Sequence, residues 1–187
     1  CKLQKTETTG CDMELLSQEN LPEWDLSSLY TSLNDPKIQL DIKSCHHKVD
    51  AFIKSYSGVF TTSSWQDKQL LEAIQEYESI QEGLGGLLYY KNLTDPGIGQ
   101  FYQKIQEEIT FLGSQLVFFT LELNKIDDKK LKNARHQNKM LDRYWSWLEK
   151  IRLFRPHQLS EDLEKLFLEK SLTSSQAWTR LYDEVLA

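Results

Sequence analysis

Glycine and proline are scarce in this chain, eight and four among 187 residues. That argues against a β-sandwich full of tight turns and for long helices. Cysteine is scarcer still. Cys1, Cys11 and Cys45 are odd in number and lack framework spacing, which fits a reducing cytosol better than a disulfide-stapled secreted domain. No signal segment supports reading Cys1 as the start of a processed lipoprotein. Long apolar runs are missing too. The longest uncharged stretch, Ile109 to Leu121, is closed by Glu108 and Glu122. It is well short of the ~18 residues a bilayer-crossing helix needs. The expected protein is soluble and cytoplasmic, with no membrane partner. A basic excess is also absent: 22 Lys and Arg face 28 Asp and Glu, a net charge of −6. Whole-chain nucleic-acid binding has no electrostatic footprint here, so no nucleic-acid partner is expected.

What the chain has is enough apolar and aromatic matter, 40 % and 11 %, for one domain with a real core. Residues 1–20 are polar and aperiodic and read as a mobile tail. Order is expected from residue 21, where Asp25 can cap a short turn carrying Leu26, Leu29 and Tyr30. Asp35-Pro36 then gives a cap followed by proline at the first helical position. Ile38, Ile42, Cys45, Val49, Phe52 and Tyr56 recur on one helical face that Gly58 closes, with Cys45 as a small core residue.

A second helix is expected from Ser64, with Asp67 three residues on as a near-relative of a capping box. Its stripe is Leu70, Ile74, Tyr77, Leu84 and Leu88. Asp95-Pro96 repeats the stop and restart. The third helix carries Ile98, Phe101, Ile105, Ile109, Leu112, Leu116, Phe119 and Leu123. Run to Asn124, it would be a rod of ~40 Å at 1.5 Å per residue. Asp127-Asp128 opens a shorter charged helix, another spans Met140 to Phe154 and stops at Pro156, and Ser160-Glu161-Asp162 caps the next. The last carries Trp178, Leu181, Tyr182 and Val185. No useful β-alternation appears, and no fixed repeat period. The expected fold class is all-α: a bundle of long amphipathic helices whose first three form an antiparallel core, since short loops make neighbours antiparallel. The chain stops at Ala187 inside a helix without a terminating signal, which hints at a piece of something longer.

Catalytic signatures fail one by one. A helical zinc site needs two histidines four residues apart, and His46, His47, His136 and His157 offer no such pair. A di-iron bundle needs Glu three residues before His; Lys43, Ser44, Asn133 and Phe154 stand there. Gly83, Gly85 and Gly86 resemble a phosphate loop but lack the preceding strand, so close helix packing or a bend is the better reading. No catalytic, cofactor-binding or metal residue is assigned in this chain, and no cofactor.

Charge is unevenly placed. Residues 125–155 hold ten Lys and Arg but four acids, +6 locally against −12 for the remainder. Tyr144, Trp145, Trp147 and Phe154 interleave with them. A stand-alone helical interaction module could use this basic-aromatic segment on a partner helix or an acidic ligand. A solvated helical face over an aromatic core is the more economical reading.

Several segments together resemble a known family. They are Pro22-Glu23-Trp24-Asp25-Leu26-Ser27-Ser28-Leu29-Tyr30, Asp95-Pro96 and Phe118-Phe119-Thr120-Leu121-Glu122-Leu123. Downstream come Tyr144-Trp145-Ser146-Trp147-Leu148, Arg155-Pro156-His157-Gln158-Leu159-Ser160-Glu161 and Ala177-Trp178-Thr179-Arg180-Leu181-Tyr182-Asp183-Glu184. In order and spacing these are similar to the N-terminal region of oligoendopeptidase F-type zinc metallopeptidases, from about residue 21 to the end. The resemblance implies a cytosolic endopeptidase for short peptides. Its catalytic half, with a His-Glu-x-x-His helix and a downstream Glu, lies further on and is absent here. There zinc would polarise the scissile carbonyl and its water, with the motif Glu as general base. Residues 21–187 would then be a helical wall or lid domain, inactive alone, with no zinc in this chain but zinc in the full-length parent. Its partners would be its own C-terminal catalytic domain and the oligopeptide substrate. The apolar patch left by the missing half leaves room for self-association of the fragment. Arg155 and His157 match a family motif and read as helix-end and inter-helix contacts rather than substrate contacts.

Overall fold

A computed structural model describes residues 35–62, 64–88 and 98–186, together with Tyr30. The expected tail, the turn capped by Asp25, Cys1, Cys11 and the Asp95-Pro96 junction lie outside them. The chain divides into two units between Thr31 and Ser32, and the described helices all lie in the second.

Among the described residues the regular structure is all helical. The order is α1 (Pro36–Tyr56), α2 (Asp67–Leu88), α3 (Ile98–Lys125), α4 (Asp128–Gln137), α5 (Trp145–Leu153), α6 (Glu161–Ser171) and α7 (Ser175–Leu186). Short 3₁₀ segments cover Val59–Thr61, Lys139–Tyr144 and Arg155–His157.

Helix α1 forms as its sequence dictates. The Asp35 carboxylate accepts from the backbone N–H of Lys37 at 2.9 Å, and Pro36 occupies the first turn, where its missing N–H costs nothing. Ile38, Cys45, Val49, Phe52 and Tyr56 are buried, and Gly58, at φ 79°, turns the chain out of the helix.

Helix α2 starts later than the sequence suggests. Ser64 does not cap it; its hydroxyl lies 2.9 Å from that of Thr62, and Trp65 is drawn into the core against the Phe60 ring before the helix begins. Its inward face runs through Leu70, Ile74, Ile80, Leu84 and Leu87. Leu87, not Leu88, closes the stripe, and Leu88 is exposed.

The first three helices pack as an up-down-up core. Along α1 and α2 the pairings run in opposite order, Cys45 against Gly83 and Tyr56 hydrogen-bonded to Glu76. Along α1 and α3 they run together, His46 to Glu108, Phe52 to Phe119 and Gly58 to Glu122. Phe119 is the hub: Phe52, Tyr77 and Phe60 surround it at ring-centroid distances of 5.0, 5.1 and 5.8 Å. Burial of each such ring stabilises the fold by ~1.5–3 kcal/mol. Helix α6 lies on the other side of α3, with Leu168 at Gly113.

The single helix expected over Met140 to Phe154 is instead a 3₁₀ segment followed by α5. The Asn138 side chain accepts from the Met140 N–H at 3.1 Å. The tighter winding eclipses residues three apart, which turns both Leu141 and Tyr144 inward. Ser160 stands at the start of α6 without a side-chain cap. Glu164 reaches back instead and accepts from the Leu159 N–H at 3.0 Å.

Candidate functional site

Within the basic-aromatic segment, where sequence analysis placed a binding alternative, most of the cations stay exposed, Lys125, Lys129, Lys132, Lys139, Lys150 and Arg155 among them. Arg152 is turned inward. Arg152 donates to the carbonyl oxygens of Leu123, at 2.9 Å, and Ile126, and to the Asp128 carboxylate. It thereby closes the C-terminal end of α3, where carbonyls lack helical partners and the dipole is negative. The Arg152 guanidinium holds the Asp128 carboxyl below its usual range. Arg155 reaches the same carboxylate at 3.4 Å, so its motif position is a helix-end contact, while His157 is exposed. Arg135 pairs with Asp142 and lies 4.4 Å from the Trp145 ring centre. Lys130 lies 3.8 Å over Trp65, and the loss of water there lowers its pKa.

Four buried polar residues on α3 were not anticipated, Thr110, Ser114, Glu122 and Asn124, and the last two reach other elements. The Glu122 carboxylate accepts from the backbone N–H groups of Gly58 at 2.7 Å and Phe60 at 3.1 Å, tying the α1–α2 connection to α3. Burial pushes its pKa up, and the two N–H donors oppose that rise. Asn124 donates from Nδ2 to the Ile151 carbonyl at 3.2 Å, while its sealed Oδ1 has no partner. Neither Glu122 nor Asn124 lies on the apolar stripe of α3, so the sequence carried no signal for their burial.

Among the clefts that the described residues form, two bear on the site. One, of about 440 Å³, lies between α3 and the α5–α6 connection, with Thr120, Phe154, His157 and Gln158 on its walls. The other, of about 520 Å³, lies between α2 and the segment 143–147. Its walls are Ile74, Tyr77, Tyr144 and Trp147, and its polar groups Glu78, Gln81, Glu82 and Arg143. The Tyr144 hydroxyl donates to Glu78 at 2.6 Å, which raises the phenol pKa because ionisation would set two negative charges together.

Among the described residues no three His, Cys, Asp or Glu side chains are grouped to hold a metal ion. His46 faces Glu108 at 3.0 Å and the Phe111 ring at 6.4 Å. The described residues therefore do not fit a zinc site. Gly83, Gly85 and Gly86 lie inside an unbroken α2, and Gly83 packs against Cys45 as close helix packing requires. No helix among the described residues is long and apolar enough to cross a membrane.

An all-helical layer, its α3 terminus closed by Arg152 and Arg155, is the class that these observations define. Residues 122–187 match the family model described as Oligopeptidase F, in the N-terminal domain of that peptidase family. The matched region begins at Glu122 and takes in Tyr144–Leu148, Arg155–Glu161 and Ala177–Glu184, the downstream pieces of the resemblance; it leaves out Pro22–Tyr30 and Asp95-Pro96. No curated protein and no solved structure matches the chain.

Proposed function

We propose that residues 21–187 are the helical wall or lid domain of a zinc-dependent endopeptidase that hydrolyses short oligopeptides, inactive until joined to its catalytic half. The observation that carries the reading is the match of residues 122–187 to the oligopeptidase F N-terminal domain. The surface of that same region supports it. Phe167 is 63 % exposed, Trp178 71 % and Val185 74 %, and Leu163, Leu166, Leu181 and Tyr182 are exposed beside them on α6 and α7. Apolar side chains gathered on two successive helices suit a face that packs against more protein. The parent's own catalytic domain is the partner this reading assigns, with zinc held there and substrate peptides between the two.

The test is the reading frame downstream of the Ala187 codon. The reading expects an open frame that reaches His-Glu-x-x-His and a later Glu, and a 187-residue chain that neither retains stoichiometric zinc nor cleaves peptides. A frame without that motif, or turnover by the chain alone, would overturn it.

A further inference from the structure

The cleft between α2 and segment 143–147 is not explained by the peptidase reading, and its chemistry is specific. Glu78 and Glu82 stand one helical turn apart on α2, on the same face as Ile74, Tyr77 and Gln81. Across from them lie Arg143, Tyr144 and Trp147.

One half of the cleft already holds a cation. The Arg143 guanidinium lies 5.5 Å from the Tyr144 ring centre, with Nη2 3.4 Å from the Glu78 carboxylate. The other half repeats the parts without the cation. Tyr77 and Trp147 form a second aromatic wall, ring centres 5.7 Å apart. Glu82 beside it has no partner among the described residues, and neither has the Trp147 indole N–H. With Arg143 balancing Glu78, the uncompensated charge of the cleft is negative.

We propose that this cleft binds a basic side chain, arginine or lysine, presented on an extended peptide. The cation would lie against the Trp147 and Tyr77 rings with its head at Glu82, where the ring quadrupole and the carboxylate both favour positive charge. A peptide carbonyl would accept from the Trp147 indole N–H. From Ile74 to Glu82 the wall extends ~12 Å at 1.5 Å per residue, the length of about four extended peptide residues. The inference rests on the cleft and not on the peptidase reading: a chain with no zinc domain downstream would keep it.

The experiment titrates the 187-residue chain with acetyl-Ala-Ala-Arg-Ala-amide and with the same peptide carrying citrulline for arginine, a neutral side chain of the same shape. Binding is read by calorimetry and by the indole N–H resonances in NMR spectra. The expected result is a shifted Trp147 indole and binding of the arginine peptide about tenfold tighter than the citrulline peptide. Glu82→Gln, at an exposed position that leaves the fold intact by circular dichroism, should bring the arginine peptide down to the citrulline level. Equal binding of the two peptides, binding of neither, or discrimination that survives Glu82→Gln would each overturn the proposal. Equal binding would make the cleft an apolar side-chain pocket instead.

Discussion

At the scale of single residues, three glycines in one helix separate packing from propensity. A Cβ on Gly85 or Gly86 would meet nothing within 4 Å, whereas one on Gly83 would lie 3.3 Å from the Cys45 sulfur. Gly85→Ala and Gly86→Ala should therefore each stabilise the chain by about 0.5–1 kcal/mol in urea unfolding. Gly83→Ala should gain less or lose, and the added Cys45→Ala should restore part of the difference, which a double-mutant cycle measures. Phe119, fully buried among three rings, should cost about 3–5 kcal/mol as Phe119→Ala. The apolar stripe on α3 disclosed Phe119 in advance. It did not disclose Glu122, because a carboxylate beside Leu121 and Leu123 reads as a solvated position until Gly58 and Phe60 bring their N–H groups to it.

Glu122 also carries a pH signature. Its folded pKa is raised above the ordinary 4.5, first by burial. The folded state therefore binds the extra proton between those two values, and stability falls as pH rises through the raised pKa. The stability that this group contributes is fully present below pH 4.5. Urea midpoints of the chain and of Glu122→Gln, compared from acid to neutral pH, should show the natural chain losing ground to the variant as pH rises. A difference independent of pH would contradict this assignment.

At the scale of elements, boundaries were legible where local chemistry sets them and illegible where tertiary contacts do. The Asp35-Pro36 start and the Gly58 exit of α1 are local, and so is the Asp127 cap of α4, which accepts from Lys129 and Lys130. The Met140–Phe154 stretch reads as one helix by period alone, but the inward turn of Leu141 and Tyr144 and the Asn138 cap wind its first half as 3₁₀. The basic charge of residues 125–155 was visible in sequence; the inward turn of Arg152 was not. Arg152 binds the carbonyls of Leu123 and Ile126 at the α3 terminus. Arg152→Ala should destabilise by about 1–3 kcal/mol in urea unfolding, and Arg152→Lys should recover only part, since an ammonium lacks the planar fork that reaches two carbonyls at once.

At the scale of the whole molecule, the all-α class and the up-down-up arrangement of α1 to α3 follow from three amphipathic stripes and the links between them. The clefts do not. The larger cleft joins residues of α2 to residues more than sixty positions further on, such as Glu78 and Tyr144, and no local pattern carries such a juxtaposition. The exposed apolar side chains of α6 and α7 stand apart from the sealed core around Phe119. If the proposed role holds, this face belongs against a further domain of the same protein. Amide hydrogen exchange, compared between the 187-residue chain and the longer protein that the proposal expects, tests that packing most directly. Helices α1 to α3 should be equally protected in both, with α6 and α7 exchanging fast in the chain and slowly in the longer protein. Equal, fast exchange of α6 and α7 in both would contradict it.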